Sequence, residues 1–238
     1  MRELRLGTIV VPILYEDADL LLVDKPAGLP AFVAKRRLEG TLSEVVLANG
    51  IGLYDGVDAE LPGVVHRLDQ GTSGVMALAR SRTGWIEFRR QLVTQQAKKE
   101  YAALAVGTFQ EKKGRIDVPI GAKHAHGLLL RRADSSGRPS ETEFEVIRSF
   151  GEQASLLRLR ISTGRTHQIR VHLSYIGHPV LGDYTYGYQA SQNIVVNRQM
   201  LHACALTFVV PRSRELVRVC APLPQDMVSV LGSLARGL

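Results

Sequence analysis

Cysteine is nearly absent: Cys204 and Cys220 are the only two in 238 residues. Each lies in an apolar alternating stretch with no second cysteine at metal-ligand spacing. That excludes a disulfide framework and a thiolate zinc site, and it leaves two small hydrophobes suited to a reducing compartment. Long apolar runs are missing as well. The short run Ile9–Leu14 contains Pro12, follows Arg2, Glu3 and Arg5, and gives way to Glu16 and Asp17. It is too short and too interrupted for a signal peptide or a bilayer span. A cytoplasmic protein with no membrane partner is expected. Disordered and low-complexity tracts are lacking too, since 45% of residues are hydrophobic and 22% charged with no biased segment. There is no internal repeat and no linker, so the expectation is a single domain over 1–238, working as a monomer. Acidic residues are in the minority, 23 against 30 basic ones, for a net charge of +7. That surplus suits a polyanionic partner, because cations that neutralise phosphates release counterions, although it equally describes a solvated basic face.

Histidines lack the companions that a metal site needs. His124 and His126 could chelate only if both stood on a strand, and His167 and His172 are poorly spaced for one helical face. Without cysteines or carboxylates at ligand spacing, no metal is expected.

Several elements are legible. Asp19–Lys25 is a short apolar run bounded by charges and followed by the turn-prone Pro26-Ala27-Gly28, which reads as a buried strand entering a loop. Thr41 with Glu44 forms a capping box for a short helix over 41–49. Val75–Ala79 is a second buried strand, entered through Gly71-Thr72-Ser73-Gly74. Trp85, Phe88 and Leu92 fall at helical spacing and predict a helix over Thr83–Gln95. Strands follow at Tyr101–Val106, Phe144–Ile147 and Leu156–Ile161, the last with Arg158 and Arg160 on one face. Ile169, Leu173 and Ile176 predict an amphipathic helix from Thr166, stopped by Gly177 and Pro179. Ala205–Val210 and Leu216–Cys220 read as a closing hairpin. Strands outnumber helices and often follow one another directly, so an α+β fold on a mixed, mostly antiparallel sheet is expected.

The richest stretch is His66-Arg67-Leu68-Asp69-Gln70-Gly71-Thr72-Ser73-Gly74. By spacing alone Asp69 is a turn residue that caps nearby amides. Its company suggests more. His66 to Ala79, Lys99-Glu100-Tyr101, Thr163 to Leu173, Gly182-Asp183 and Tyr186-Gly187, in that order, closely resemble the signature blocks of the RluA family of pseudouridine synthases. Val23–Gly28 matches the family's opening block, and Leu201-His202-Ala203 and Ala221–Pro224 match its closing ones. The resemblance runs over about residues 14–227, each motif weak alone and the ordered set specific.

The resemblance implies the pseudouridine synthase fold and an isomerase of uridine in ribosomal or transfer RNA that uses no cofactor. It implies by position that Asp69 is the catalytic carboxylate, that Tyr101 stacks on the target base, and that Arg165 pairs with the aspartate. Arg67 matches an arginine associated with displacing the target nucleotide. The chemistry suits these types. A carboxylate that must stay ionised benefits from a guanidinium, an aromatic face holds a base while letting it turn, and a base inside a helix must be flipped out. Taken alone, Tyr101 also reads as a core tyrosine and Arg165 as a solvated loop charge. His66, Lys99, Gln168, Arg170, Arg131 and Arg132 are candidate RNA contacts. Lys112, Lys113 and Arg115 on an expected hairpin tip join Lys98 and Lys99 as a possible phosphate track.

Two features depart from the family pattern. The blocks begin almost at once, leaving no room ahead of them for the small RNA-binding domain that many relatives carry, so specificity is expected to lie in loops of the one domain. Ala31–Gly40, with Lys35, Arg36 and Arg37, lacks the histidine-containing continuation common after the opening block. The rival readings are an RNA-binding protein of the same fold without catalysis, and a glycosidic hydrolase, which would want two facing carboxylates where one candidate is evident.

Overall fold

The computed structural model describes residues 2–31, 40–56, 61–125, 128–189 and 196–237, with the backbone alone at 124, 125, 128 and 129. In chain order the elements are β1 (Glu3–Leu6), β2 (Ile9–Glu16), β3 (Leu20–Lys25), α1 (Leu42–Ala48), β4 (Ser73–Ala79), α2 (Arg82–Val93), β5 (Lys98–Val106), β6 (Lys113–Asp117), β7 (Ile120–Ala125), β8 (Leu128–Ala133), β9 (Glu141–Phe150), β10 (Ala154–Ile161), α3 (Gln168–Tyr175), a short 3-10 turn (Tyr184–Tyr186), β11 (Leu201–Val209), β12 (Leu216–Cys220) and α4 (Gln225–Ala235). The fold is mixed α+β, its ladders mostly antiparallel. Among the described residues no helix is long and apolar enough to cross a membrane. The chain divides into two compact units, residues 1–98 with 203–222 and residues 99–202 with 223–238.

In the first unit the strands follow the order β1-β2-β3-β4-β11, with β12 on β11. β3 and β4 are apolar on both faces and pair antiparallel from Leu20↔Ala79 to Lys25↔Gly74. The even residues Leu20 and Leu22 join Val75, Ala77, Phe88 and Phe208 in one core, against which Trp85 and Leu92 of α2 also pack. The helical spacing read from the sequence is therefore the face that α2 buries. Its N-terminus is capped by Ser81, whose hydroxyl accepts from Gly84 N. In α1 the Thr41 hydroxyl accepts from Glu44 N, as a capping box requires, and the Glu44 carboxylate accepts from Gly40 N. Gly74 cannot be anything else: its φ is +112°, and a Cβ there would run into the Ala203 carbonyl.

In the second unit the order is β5-β10-β9-β6, with β7 and β8 as a separate two-stranded ribbon. The register Tyr101↔Leu159↔Phe144 puts Tyr101 on an apolar sheet face. Thr142 lies on that same face and bonds to α3. On the other face Arg158 and Arg160 stand opposite Glu145 and Glu143, which stand opposite Lys113 and Arg115. The hairpin tip expected for Lys113 and Arg115 is thus strand β6, because their alternation matches the β9 register. A second core gathers Leu104, Ala154, Leu181, Met200, Met227 and Leu234, with α4 supplying the last two.

Candidate active site

In the first unit, residues 66–72 form a loop ahead of β4. Its anchor is Lys25, which is fully buried at the end of β3. Lys25 Nζ donates to the carbonyls of Pro26 at 2.9 Å, Leu29 at 2.8 Å and Gln70 at 3.3 Å. A buried ammonium is tolerable only when such acceptors replace its water, so the 26–29 and 69–72 segments are bound to one cation. Gly28 N donates to the Gln70 carbonyl and Gln70 Nε2 to the Gly28 carbonyl, joining the same two segments again. Asp69 is partly exposed, and its carbonyl closes a turn by accepting from Thr72 N at 2.9 Å. The turn reading and the carboxylate reading are therefore compatible: the backbone makes the turn and leaves the side chain's role open. His66 Nε2 accepts from Ala77 N at 2.9 Å, which places the proton of the neutral ring on Nδ1 and ties the loop to β4. Arg67 is exposed.

Asp24 carries no special mark in the sequence. It is half-buried, and burial pushes its carboxyl up to about 6 despite the neighbouring Lys25 charge. Because the folded value lies above the ordinary one, the folded state holds the proton longer, and this group erodes stability as pH rises from about 4 to about 6. Asp24→Asn should therefore gain stability over the parent at pH 7, by an amount that fades below about pH 4, as read by urea unfolding at both pH values.

In the second unit the loop from Thr163 to His167 joins β10 to α3 and carries Arg165. Gln168, 3% exposed, organises it. Gln168 Oε1 accepts from Arg165 N at 3.0 Å and from the Thr163 hydroxyl at 2.8 Å. Gln168 Nε2 donates to the Glu141 carbonyl at 2.8 Å and to Thr142 Oγ1 at 3.2 Å. The Thr142 hydroxyl bonds to His172 Nδ1, and His172 Nε2 bonds to the Val118 carbonyl at 2.9 Å. A carbonyl can only accept, so His172 is protonated on Nε2, and burial pushes its pKa down, favouring this neutral form. The Arg165 side chain donates through Nε to the Pro139 carbonyl at 3.2 Å. Lys99, at the start of β5, reaches the Thr163 carbonyl at 3.4 Å, and burial lowers its pKa to about 8. Tyr101, two residues along the same face, is 7% exposed. Lys99, Arg165 and Gln168 thus meet around one loop of this unit, and Tyr101 follows Lys99 on the same face of β5.

Two of the expected RNA contacts are buried against protein partners. Gln168 spends its amide on protein partners. Arg170 is buried too, held by Asp183 in a bidentate pair, Nε–Oδ2 at 2.6 Å and Nη2–Oδ1 at 2.8 Å, with side-chain exposures of 8% and 1%. Its guanidinium also lies 4.9 Å from the centroid of the Tyr186 ring. A cation this far from water is satisfied by its carboxylate and aromatic neighbours, and both side chains bond within the protein. No local signal could have shown this, because Asp183 is 13 residues away in sequence.

Arg131 and Arg132 lie on β8. Arg132 is exposed and pairs with Asp134 at 2.9 Å. A groove of about 380 Å³ lies across the charged face of β6, β9 and β10, lined among others by Lys113, Arg115, Glu143, Glu145, Arg158 and Arg160. Its ion pairs, Lys113–Glu145 at 2.9 Å, Arg158–Glu145 at 3.2 Å and Arg115–Glu141 at 2.8 Å, largely cancel its charge, as on a solvated sheet face. The Lys113 and Arg115 part of the phosphate track is therefore occupied by acids. His124 is on β7, while His126 lies outside the described residues. Among the described residues, no group of three or more His, Cys, Asp or Glu side chains is placed to hold a metal ion.

Comparison with known proteins gives the same direction as the motifs. The family model described as RNA pseudouridylate synthase matches residues 19–175. The protein described as uncharacterized RNA pseudouridine synthase YlyB of Bacillus subtilis is 37% identical over 227 residues, covering 94% of this chain and 73% of that protein. Ribosomal large subunit pseudouridine synthase D of Vibrio vulnificus is 36% identical over 241 residues, covering 96% and 72%. Among solved structures, human RNA pseudouridylate synthase domain containing 4 superposes with a TM-score of 0.72 at 28% identity, covering 94% of this chain and 93% of that one. With ordered motifs, fold and relatives in agreement, this chain belongs to the RNA pseudouridylate synthase family, in its RluA branch, and is an isomerase that acts on RNA.

Proposed function

We propose that the chain converts particular uridines of ribosomal or transfer RNA to pseudouridine in the cytoplasm, as a monomer and without metal or cofactor, with Asp69 as the essential carboxylate. The observation that carries the assignment is the placement of Asp69: a partly exposed acid on a loop whose neighbouring carbonyls are held by the buried Lys25 ammonium. That is a partly exposed carboxylate on a loop whose backbone is tied to β3. The reaction balances with nothing added. The bond from C1′ to N1 breaks, a bond from C1′ to C5 forms, the C5 proton leaves and N1 gains one. A carboxylate serves by attacking or deprotonating the sugar, and the freed uracil turns before it rejoins. Tyr101 and Arg165 fill the supporting roles that their motif positions imply, base stacking and positive charge beside the carboxylate, and Lys99, Arg131, Arg132, Arg67 and His66 serve RNA placement. Unmodified ribosomal and transfer RNA transcripts incubated with EDTA-treated protein should gain pseudouridine, counted by nucleoside mass spectrometry, as fast as with untreated protein. A rate restored only by added metal would refute the cofactor-free part of this reading.

A further inference from the structure

Tyr186 stands where three segments of the second unit meet. Its ring is fixed from one side by Arg170 of α3, itself clamped by Asp183. Its hydroxyl accepts from the backbone N–H of Arg131 on β8 at 3.1 Å and lies 2.7 Å from His167 Nδ1. The hydroxyl donates to this nitrogen or accepts from it according to the imidazole tautomer. His167 follows Arg165 by two residues, is the N-cap of α3 and sits at φ 59°, a left-handed conformation costly for a residue with a side chain. A strained residue holds its place only if its surroundings fix it, and the Tyr186 hydroxyl is one of those fixings.

The other end of this connection is a cationic ribbon. The β7–β8 register, Ala122↔Arg131 and Gly121↔Arg132, places Arg131 and Arg132 on opposite faces, with exposed Lys123 two pairs along from Arg132 on its face. Arg131 meets Tyr186 through its backbone, and its guanidinium forms no ion pair among the described residues. Such a ribbon suits an RNA partner, whose phosphate oxygens accept from arginine and lysine.

We infer that the Tyr186 hydroxyl couples the β7–β8 ribbon to the Arg165 loop, so that RNA phosphates seated on Arg131 and Arg132 set the position of that loop for the chemical step. Tyr186 is a positioning residue in this scheme. The inference rests on the roles given above to Arg165 and to the two ribbon arginines. Its physical content is that one hydroxyl bonds the backbone of β8 and the side chain of His167, two segments far apart in sequence, so binding energy collected on the ribbon goes into orientation at the loop.

The test is a double-mutant cycle on single-turnover rates at saturating RNA, with unmodified ribosomal and transfer RNA transcripts as substrate. Tyr186→Phe keeps the ring against Arg170 and removes the hydroxyl. Arg131→Ala with Arg132→Ala keeps the backbone N–H and removes the charges. Each change alone should slow the chemical step by about tenfold, and the combination should be little slower than either alone, while the arginine changes still weaken RNA affinity. Multiplying effects, about a hundredfold together, would overturn the coupling and leave two independent contributions. Arginine changes that weaken affinity without touching the rate would also overturn it, yet leave the isomerase reading intact, since that reading fails only if the parent protein forms no pseudouridine. Should Tyr186→Phe unfold, His167→Asn replaces it: asparagine tolerates the left-handed backbone but is too short to keep the bond, and the same cycle applies.

Discussion

Asp69→Asn is expected to abolish pseudouridine formation, lowering the single-turnover rate by about ten-thousandfold or more, while RNA affinity and thermal stability stay close to the parent's. Asparagine keeps the size and polarity of the side chain, and the backbone of the 66–72 loop is held by Lys25, Gly28 and Thr72 through main-chain atoms. The substitution therefore removes the negative charge and its nucleophilic or basic oxygen, with little reason for the loop to move. A merely structural Asp69, the turn residue its spacing alone suggests, would show the reverse pattern: a loss of stability of about 1 kcal/mol and a modest change in rate. Measuring rate, affinity and melting temperature on the same preparation separates the two. An Asp69→Asn protein that still isomerises within tenfold of the parent would transfer the chemistry to another group.

The largest expected effect on stability is at the Arg170–Asp183 pair. Asp183→Ala should cost about 3–5 kcal/mol in urea unfolding, because it strands a guanidinium that is only 8% exposed and so has little access to solvent. Replacing both partners by apolar residues of similar volume should recover most of that loss, since the penalty belongs to the orphaned charge and not to the missing attraction. The contrast lies on the same unit. Arg158–Glu145, at 3.2 Å with exposures of 47% and 32%, is open to water, and Arg158→Ala should change stability by no more than about 0.5 kcal/mol. Because Arg170 also fixes the Tyr186 ring, Asp183→Ala should slow turnover even at temperatures where the protein remains folded. An Asp183→Ala protein as stable as the parent would mean that the pair is not buried as described.

The parts of this fold that can be read in advance are those where one local pattern decides the outcome. β3 and β4 are apolar runs between charges and turn residues, and they form the centre of the first unit's core. Trp85, Phe88 and Leu92 mark the buried face of α2, and Thr41 with Glu44 marks the start of α1. Other elements show no such sign. β2 carries Pro12 and is flanked by charges, so its alternation is broken, and a register shift between Ile13 and Tyr15 marks the same irregularity. The β7–β8 ribbon carries Lys123, His124, Arg131 and Arg132 without a clean alternation, so its pairing is not evident from the sequence. α4 follows two prolines, and its buried Met227 and Leu234 have meaning only against residues far back in the chain.

The candidate site divides in the same way. The Asp69 and Arg165 loops stand out because each is a dense block of specific residues, and the resemblance supplies their roles. The burial of Gln168 and Arg170 is not legible, because a polar side chain within a functional block looks like a ligand contact when its partner is unseen. Their partners, Glu141, Thr142 and Asp183, are supplied by β9 and by the turn after α3. Lys25 looks in the sequence like a charge bounding a strand, although it anchors the loop that carries Asp69. Sequence spacing reports neighbours along one element, and it is silent about which distant carbonyl will replace a buried cation's water.

Release of tritium from RNA transcripts labelled at carbon 5 of uridine tests the central claim most directly. Forming the new carbon–carbon bond must expel that hydrogen, so the parent protein should release one tritium per pseudouridine formed and no free uracil, and Asp69→Asn should release none. Free uracil in place of tritium, or tritium release that survives the loss of the Asp69 charge, would contradict the account.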